Sequence, residues 1–202
     1  MDQIIIIGYG NHAKVIAEVI HDSPTKNLIG YIDPKNYNDE EVYLGNDGDI
    51  QDVIKKNPDA EFIIGVGDIK IRRKVIEQFS KYNLLFHKLV HPSAIVMSSV
   101  EIGEGTVIFA NAVVNSYADI DKHCIINTSS VVEHHNKLGE NVHVAPGSVL
   151  GGQVVVDDNT LIGIGASIRN NVIIGTNVVV GCGGVVVKNV NNGSTVMGNP
   201  AR

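Results

Sequence analysis

From Val90 to Val186 every sixth residue is aliphatic, with no insertion: Val90, Val96, Ile102, Ile108, Val114, Ile120, Ile126, Val132, Leu138, Val144, Leu150, Val156, Ile162, Ile168, Ile174, Val180 and Val186. Four places after most of these stands a small or β-branched residue, among them Ala94, Thr106, Ala112, Cys124, Ser130, Ser148, Thr160, Ala166 and Gly184. Directly after the aliphatic come Gly103, Gly139, Gly151, Gly163, Gly175 and Gly181, or the turn formers Asn115, Asp121, Asn127 and Asp157. A period of six fits neither an α-helix nor an alternating strand. One large inward residue, one small inward residue and a turn describe one side of a triangular parallel β-helix, with three hexads to a coil. The segment then makes about 5 coils, and at a strand spacing of ~4.8 Å the prism is roughly 25 Å long. Periodicity does not give the hand of the coil.

Residues 1 to 89 lack this period. Met1 to Gly8 reads as a buried strand, Gly8-Tyr-Gly-Asn-His12 as a turn, and Ala13 to His21 as a helix with Val15, Ile16, Val19 and Ile20 on one face. Leu28 to Ile32 is a second strand, closed by Asp33-Pro34. Asp49 to Lys56 is helical, Phe62 to Val66 a strand and Ile69 to Lys81 a helix. Alternating strands and helices predict a small Rossmann-like α/β domain at 1–88, followed by the β-helix at 89–202.

Composition agrees with the pattern. Hydrophobic residues make up 44% of the 202 positions, yet aromatics only 5% with no Trp, and 26 Ile and 29 Val carry the apolar content. The formal charge of −6 comes with no basic run, which argues against nucleic acid as a partner. Apolar runs such as Ile4 to Ile7 are far short of a membrane span, and Asp2 stands where a secretory signal would want positive charge, so we expect a cytoplasmic protein with no membrane insertion. Cys124 and Cys182 form neither CxxC nor a Cys/His ligand pattern, so neither a disulfide framework nor a metal site is expected.

Gly8-Tyr-Gly10, after a strand and before a helix, permits a tight turn that aims amide N–H groups and a helix N-terminus at an anion such as a diphosphate. Asp33, at the end of the next strand, stands where such folds hold a ribose or base. The third glycine of the dinucleotide fingerprint is absent, with Asn11 directly after the pair, which disfavours NAD and an oxidoreductase. The glycines also fit a turn with geometry as its only purpose. His134, His135 and His143 fit exposed turn positions of a prism equally well on periodicity alone.

Beyond the period, the chain carries Ile-Ile-Gly8-Tyr-Gly-Asn-His-Ala-Lys-Val15, Ile-Gly-Val-Gly67-Asp with Arg72, His91-Pro-Ser-Ala, Asn127-Thr-Ser-Ser-Val-Val-Glu-His134 and a closing Gly198-Asn-Pro-Ala-Arg202. In these it resembles the hexapeptide acyltransferases of the sialic acid O-acetyltransferase and nucleotide-aminosugar N-acetyltransferase family, over nearly its whole length. The resemblance implies a left-handed β-helix, a homotrimer with active sites between subunits, and acetyl-CoA as co-substrate in the groove between neighbouring prisms. It implies His134 as general base, and His143, Ile164, Gly181 and Cys182 as positions lining the coenzyme. Lys188 and Arg202 could meet the coenzyme phosphates. Gly8, Gly10, Asn11, His12, Asp33 and Gly67 match positions that hold a nucleotide-sugar substrate, and Asn127 belongs to the same set.

Coil arithmetic adds two expectations of its own. Gly152 lies one coil, ~4.8 Å, above His134, where its amide could polarise a thioester carbonyl. Pro146, Ile164 and Cys182 share that 18-residue offset and form a rail along the axis. One departure stands out: where the family usually has an acid after the base, this chain has His135. Glu133 or a neighbouring subunit could supply the carboxylate, or the base works unassisted. N-acetylation of a nucleotide-linked aminosugar is the leading expectation, with O-acetylation of sialic acid and a non-catalytic trimeric β-helix scaffold as alternatives.

Overall fold

Four consecutive isoleucines, Ile4 to Ile7, are completely or almost completely buried at the centre of a parallel sheet. In this computed structural model, which describes residues 1–38 and 40–202, they belong to the first of two compact units, Met1–His87 and Lys88–Arg202. The first unit runs β1 (Asp2–Ile7), α1 (Asn11–His21), β2 (Lys26–Ile32), β3 (Tyr43–Gly45), α2 (Ile50–Lys56), β4 (Glu61–Ile64) and α3 (Ile69–Phe79). The strand order is β3-β2-β1-β4 with every pairing parallel. β1 therefore has the strand that follows α1 on one side and β4 on the other. The crevice at the carboxyl ends of β1 and β4 is the switch point where doubly wound sheets take their ligands.

Three local expectations are corrected. Val15 is 46% exposed, and α1 packs instead through Ala13, Ile16, Ala17, Val19 and Ile20. The helix expected from Asp49 begins as a 3₁₀ turn at Asp47–Asp49, because Asn46 caps it through a reciprocal box with Asp49, and becomes α-helical only at Ile50. β3 was not foreseen, since a three-residue edge strand leaves no periodic trace.

The second unit is a three-sided parallel β-helix. Each hexad contributes one two-residue strand, and strands 18 residues apart pair in register, as Val131↔Val149 and Val132↔Leu150 do. The three faces hold seven, six and five strands. The sixfold aliphatics and their small partners form one continuous core from Ile108 to Val186, most of it fully buried. The period breaks after Val186: Val179 pairs with Thr195 and Ile174 with Val190, so the last coil is two residues shorter than the rest.

A second sixfold series explains the corners. Asn111, Tyr117, His123, Ser129, His135, Asn141, Gln153, Asn159, Asn171 and Asn177 all have φ between 56° and 62°, and glycines 105, 147, 165 and 183 fill the remaining places at φ of 65° to 70°. Each corner thus needs one left-handed residue, which Asn and Gly supply at least cost. No helix among the described residues is long and apolar enough to cross a membrane.

Candidate active site

His134 leaves the corner that follows the strand Val131–Val132, and Gly152 occupies the same place after Val149–Leu150, one coil on. The imidazole lies flat against the glycine: a Cβ on Gly152 would come within 2.6 Å of both Cε1 and Nε2 of His134. Any side chain at 152 would push the ring away. At several corners the amide two places after the aliphatic is held by the side chain before it, as Lys122 N is by Asp121 (2.7 Å), Thr128 N by Asn127 (2.8 Å) and His134 N by Glu133 (3.3 Å). At Gly152, Ile164 and Cys182 the preceding residue is a glycine, so no side chain reaches back. Among the described residues these three N–H groups have no acceptor within the chain. An imidazole and an uncommitted donor therefore share one edge of the prism.

Asn136 fixes that edge from inside. Its side chain is fully buried, and its Nδ2 donates to the carbonyls of Glu133 (2.5 Å) and Gly151 (3.1 Å) while its Oδ1 accepts from Val154 N (3.0 Å). It ties the corner carrying His134 to the corner carrying Gly152. The sequence reading missed it; the available signal was a side-chain amide at an inward position of the hexad, where a small or β-branched residue is the rule.

The expected coenzyme positions lie on a different edge. Pro146, Ile164 and Cys182 each stand two places after Val144, Ile162 and Val180, whose strands pair in that order, so the rail is a true column. Ile164 is 57% exposed and Cys182 is an exposed free thiol. Gly181 is held close under Met197, whose Cβ would lie 2.9 Å from a Cβ at 181. Asn127 opens the same edge, and its Nδ2 stands 3.0 Å from Nε2 of His143 on the adjoining face. Asn127 Oδ1 is taken by Thr128 N, so its Nδ2 donates, His143 Nε2 accepts, and the His143 proton sits on Nδ1. Residues assigned to substrate and to coenzyme are thus hydrogen-bonded to each other, whereas His134 and the coenzyme rail occupy separate edges of one prism.

In the first unit, Gly8, Gly10, Asn11, His12 and Gly67 gather at the carboxyl ends of β1 and β4. Gly8 has φ +81°, which L side chains resist, and a Cβ there would strike Val66. Gly67 carries the His12 ring against it, with a Cβ position 3.2 Å from His12 Cγ. The N-cap of α1, Gly10, has no side-chain cap, which leaves the helix N-terminus open. Asp33 is not a free carboxylate at the end of β2. One oxygen accepts from Tyr9 N and the other from Lys35 N, both at 2.8 Å, so it braces the glycine turn. Arg72 is buried and donates to the carbonyls of Ile64 and Val66, fixing the loop that delivers Gly67. Among the described residues no three His, Cys, Asp or Glu side chains converge as a metal site.

Comparison with known proteins places this architecture. Residues 3–79 match the PglD N-terminal domain family. A curated relative, UDP-N-acetylbacillosamine N-acetyltransferase of Bacillus subtilis strain 168, is 38% identical over 113 residues, 54% of this chain and about half (52%) of that protein's length. The acetyltransferase domain of PglB from Neisseria gonorrhoeae FA1090 superposes with a TM-score of 0.90 at 30% identity, over 100% of this chain and 99% of that one, and its acetyl coenzyme A complex matches equally well. PerB from Caulobacter crescentus, solved with CoA and GDP-perosamine, gives 0.92 at 30% identity over 100% and 97%. With both units matched end to end at this identity, the chain belongs to the hexapeptide-repeat acetyltransferase family of the sialic acid O-acetyltransferases and nucleotide-aminosugar N-acetyltransferases.

Proposed function

We propose that this chain transfers an acetyl group from acetyl-CoA to the amino group of a nucleotide-linked aminosugar, serving surface-glycan synthesis in the bacterial cytoplasm. The observation that carries the reading is the His134 ring seated against Gly152, whose N–H is uncommitted. His134 Nε2 takes the proton of the attacking amine, and the Gly152 N–H meets the oxygen on which negative charge grows. When bound, acetyl-CoA supplies the acetyl group as an activated thioester. The residues present suit it: an apolar, exposed Ile164 and the open N–H groups of Ile164 and Cys182 form a strip to which an extended amide-containing arm can bond, with His143 and Gly181 beside it. Because base and rail lie on different edges, a complete site needs the base edge of one copy beside the rail edge of the next, which supports a homotrimer. In the first unit, Gly8, Gly10, Asn11, His12, Gly67 and the Asp33-braced turn are the nucleotide-sugar contacts; in the second, Asn127 is assigned to substrate. The relatives named for bacillosamine and perosamine favour an amine acceptor.

The test is thiol release from acetyl-CoA with UDP-, dTDP- and GDP-linked aminosugars and with free or CMP-linked sialic acid, using wild type and His134→Ala. Turnover of an aminosugar, lost in His134→Ala with coenzyme affinity by calorimetry within about twofold, is the expected result. Wild-type kcat in His134→Ala removes His134 as base. Turnover of sialic acid alone moves the reading to O-acetylation, and no binding at millimolar coenzyme makes the chain a scaffold.

A further inference from the structure

The Nδ1 atoms of His134 and His135 are 3.1 Å apart. Two imidazole nitrogens at that distance are stable only with one proton between them, so one ring donates and the other accepts. The rings meet edge to face, with centroids 5.3 Å apart and planes at 85°. His135 is held for this contact by its backbone and by its ring. It fills the left-handed corner position at φ 57°, its N–H donates to Ser116 O at 3.1 Å, and its ring packs at 5.0 Å on Tyr117, the left-handed residue one coil below. Glu133, the nearby acid, is bonded to the His134 backbone N–H and not to its ring.

We propose that His135 is the positioning residue of the base, an imidazole acceptor doing what a carboxylate would do; this rests on His134 being the base. His135 Nδ1 offers its lone pair, which fixes His134 as the Nδ1–H tautomer and leaves the His134 Nε2 lone pair facing the Gly152 edge, ready for a proton. His135 then carries its own proton on Nε2. When His134 gains a proton at Nε2, its Nδ1–H bond to neutral His135 persists, so the cation is stabilised by a hydrogen bond without an ion pair. The reverse arrangement, with His135 donating, puts the proton of His134 on Nε2 and removes the base.

The side chains of His135→Asn and His135→Phe separate this role from a packing role. Asn places Oδ1 where His has Nδ1 and suits the left-handed backbone; Phe keeps a ring on Tyr117 and has no acceptor. Ring ¹⁵N spectra at about pH 8, where free imidazoles are neutral, read the tautomer without any turnover. His134 is expected as Nδ1–H in wild type and His135→Asn, and shifted to Nε2–H in His135→Phe. The kcat of His135→Asn should stay within about threefold, and that of His135→Phe should fall at least about tenfold with both KM values unchanged. An Nδ1–H His134 in the Phe variant, or a Phe variant with wild-type kcat, overturns the proposal. His135→Ala takes its place if Phe at this backbone angle prevents folding, as judged by circular dichroism. Failure to acetylate any acceptor would sink the functional reading and leave the tautomer result to decide the pair.

Discussion

The His134 imidazole covers Gly152 so closely that a methyl group there would sit 2.6 Å from two of its ring atoms. Gly152→Ala should therefore act on the proposed base, His134, without touching it chemically. Gly152 has no left-handed backbone to defend, so the coil accepts the alanine and the exposed His134 ring swings away. We expect kcat to fall by about 10- to 100-fold with the melting temperature nearly unchanged, since a displacement of about 1 Å is enough to cost that much. Steady-state kinetics beside a thermal melt checks it; wild-type kcat would show that the ring's position is immaterial.

Asn136 predicts the converse, a loss of stability that carries activity with it. Asn136→Ala strands the Glu133 and Gly151 carbonyls and the Val154 N–H in the interior. Unpaired buried groups make a loss of about 2–4 kcal/mol the expected outcome in urea unfolding. Asn136→Asp should be worse, because its side chain has acceptors where both carbonyls need a donor.

Removing the Asp33 carboxylate frees two backbone amides, those of Tyr9 and Lys35. Asp33→Ala should loosen the glycine turn, cost about 1–3 kcal/mol, and raise KM for the nucleotide sugar while leaving KM for acetyl-CoA alone. An equal rise in both would detach Asp33 from the nucleotide.

Glu140 predicts a pH effect. Burial, followed by the nearby charges of Asp121 and Asp158, lifts its pKa above the ordinary carboxylate value, with Lys122 opposing. The folded protein then holds a proton that the unfolded chain has released, so stability declines as pH rises from the ordinary value through the raised one. Glu140→Gln should raise the melting temperature at pH 7 relative to wild type, a difference that vanishes at about pH 3, where the acid is protonated in both states. The gain is modest because the group is only partly buried and water screens it.

Much of this molecule could be read from spacing. The sixfold aliphatics gave the coil, and the 18-residue offset put Gly152 over His134, since in a solenoid every contact across coils is a fixed offset along the chain. The strand, glycine turn and helix at Ile4 to His21 were legible for the same reason: their signals are local. The corner series beginning at Asn111 was equally present in the sequence but was hidden by its chemistry, because Asn, Gly, His, Tyr, Ser and Gln share nothing except tolerance of a positive φ. Asn136 was hidden because an inward amide is meaningful only once its three backbone partners are placed.

The sequence by itself determined the architecture and the coil register, because both depend on residue type and periodicity; His134 as the proposed base rests on the family resemblance and not on the period. Tertiary structure alone decided which groups Asp33 and His135 meet. Asp33, expected to hold the nucleotide sugar, also accepts from two backbone amides; His135, standing where an acid was expected, lies within hydrogen-bond distance of His134. The placing of His134 and of the rail on two edges of the prism was, by contrast, already contained in the 12-residue offset between His134 and Pro146 in an 18-residue coil. A side chain's partners are set by directions in space, which residue type and spacing do not give.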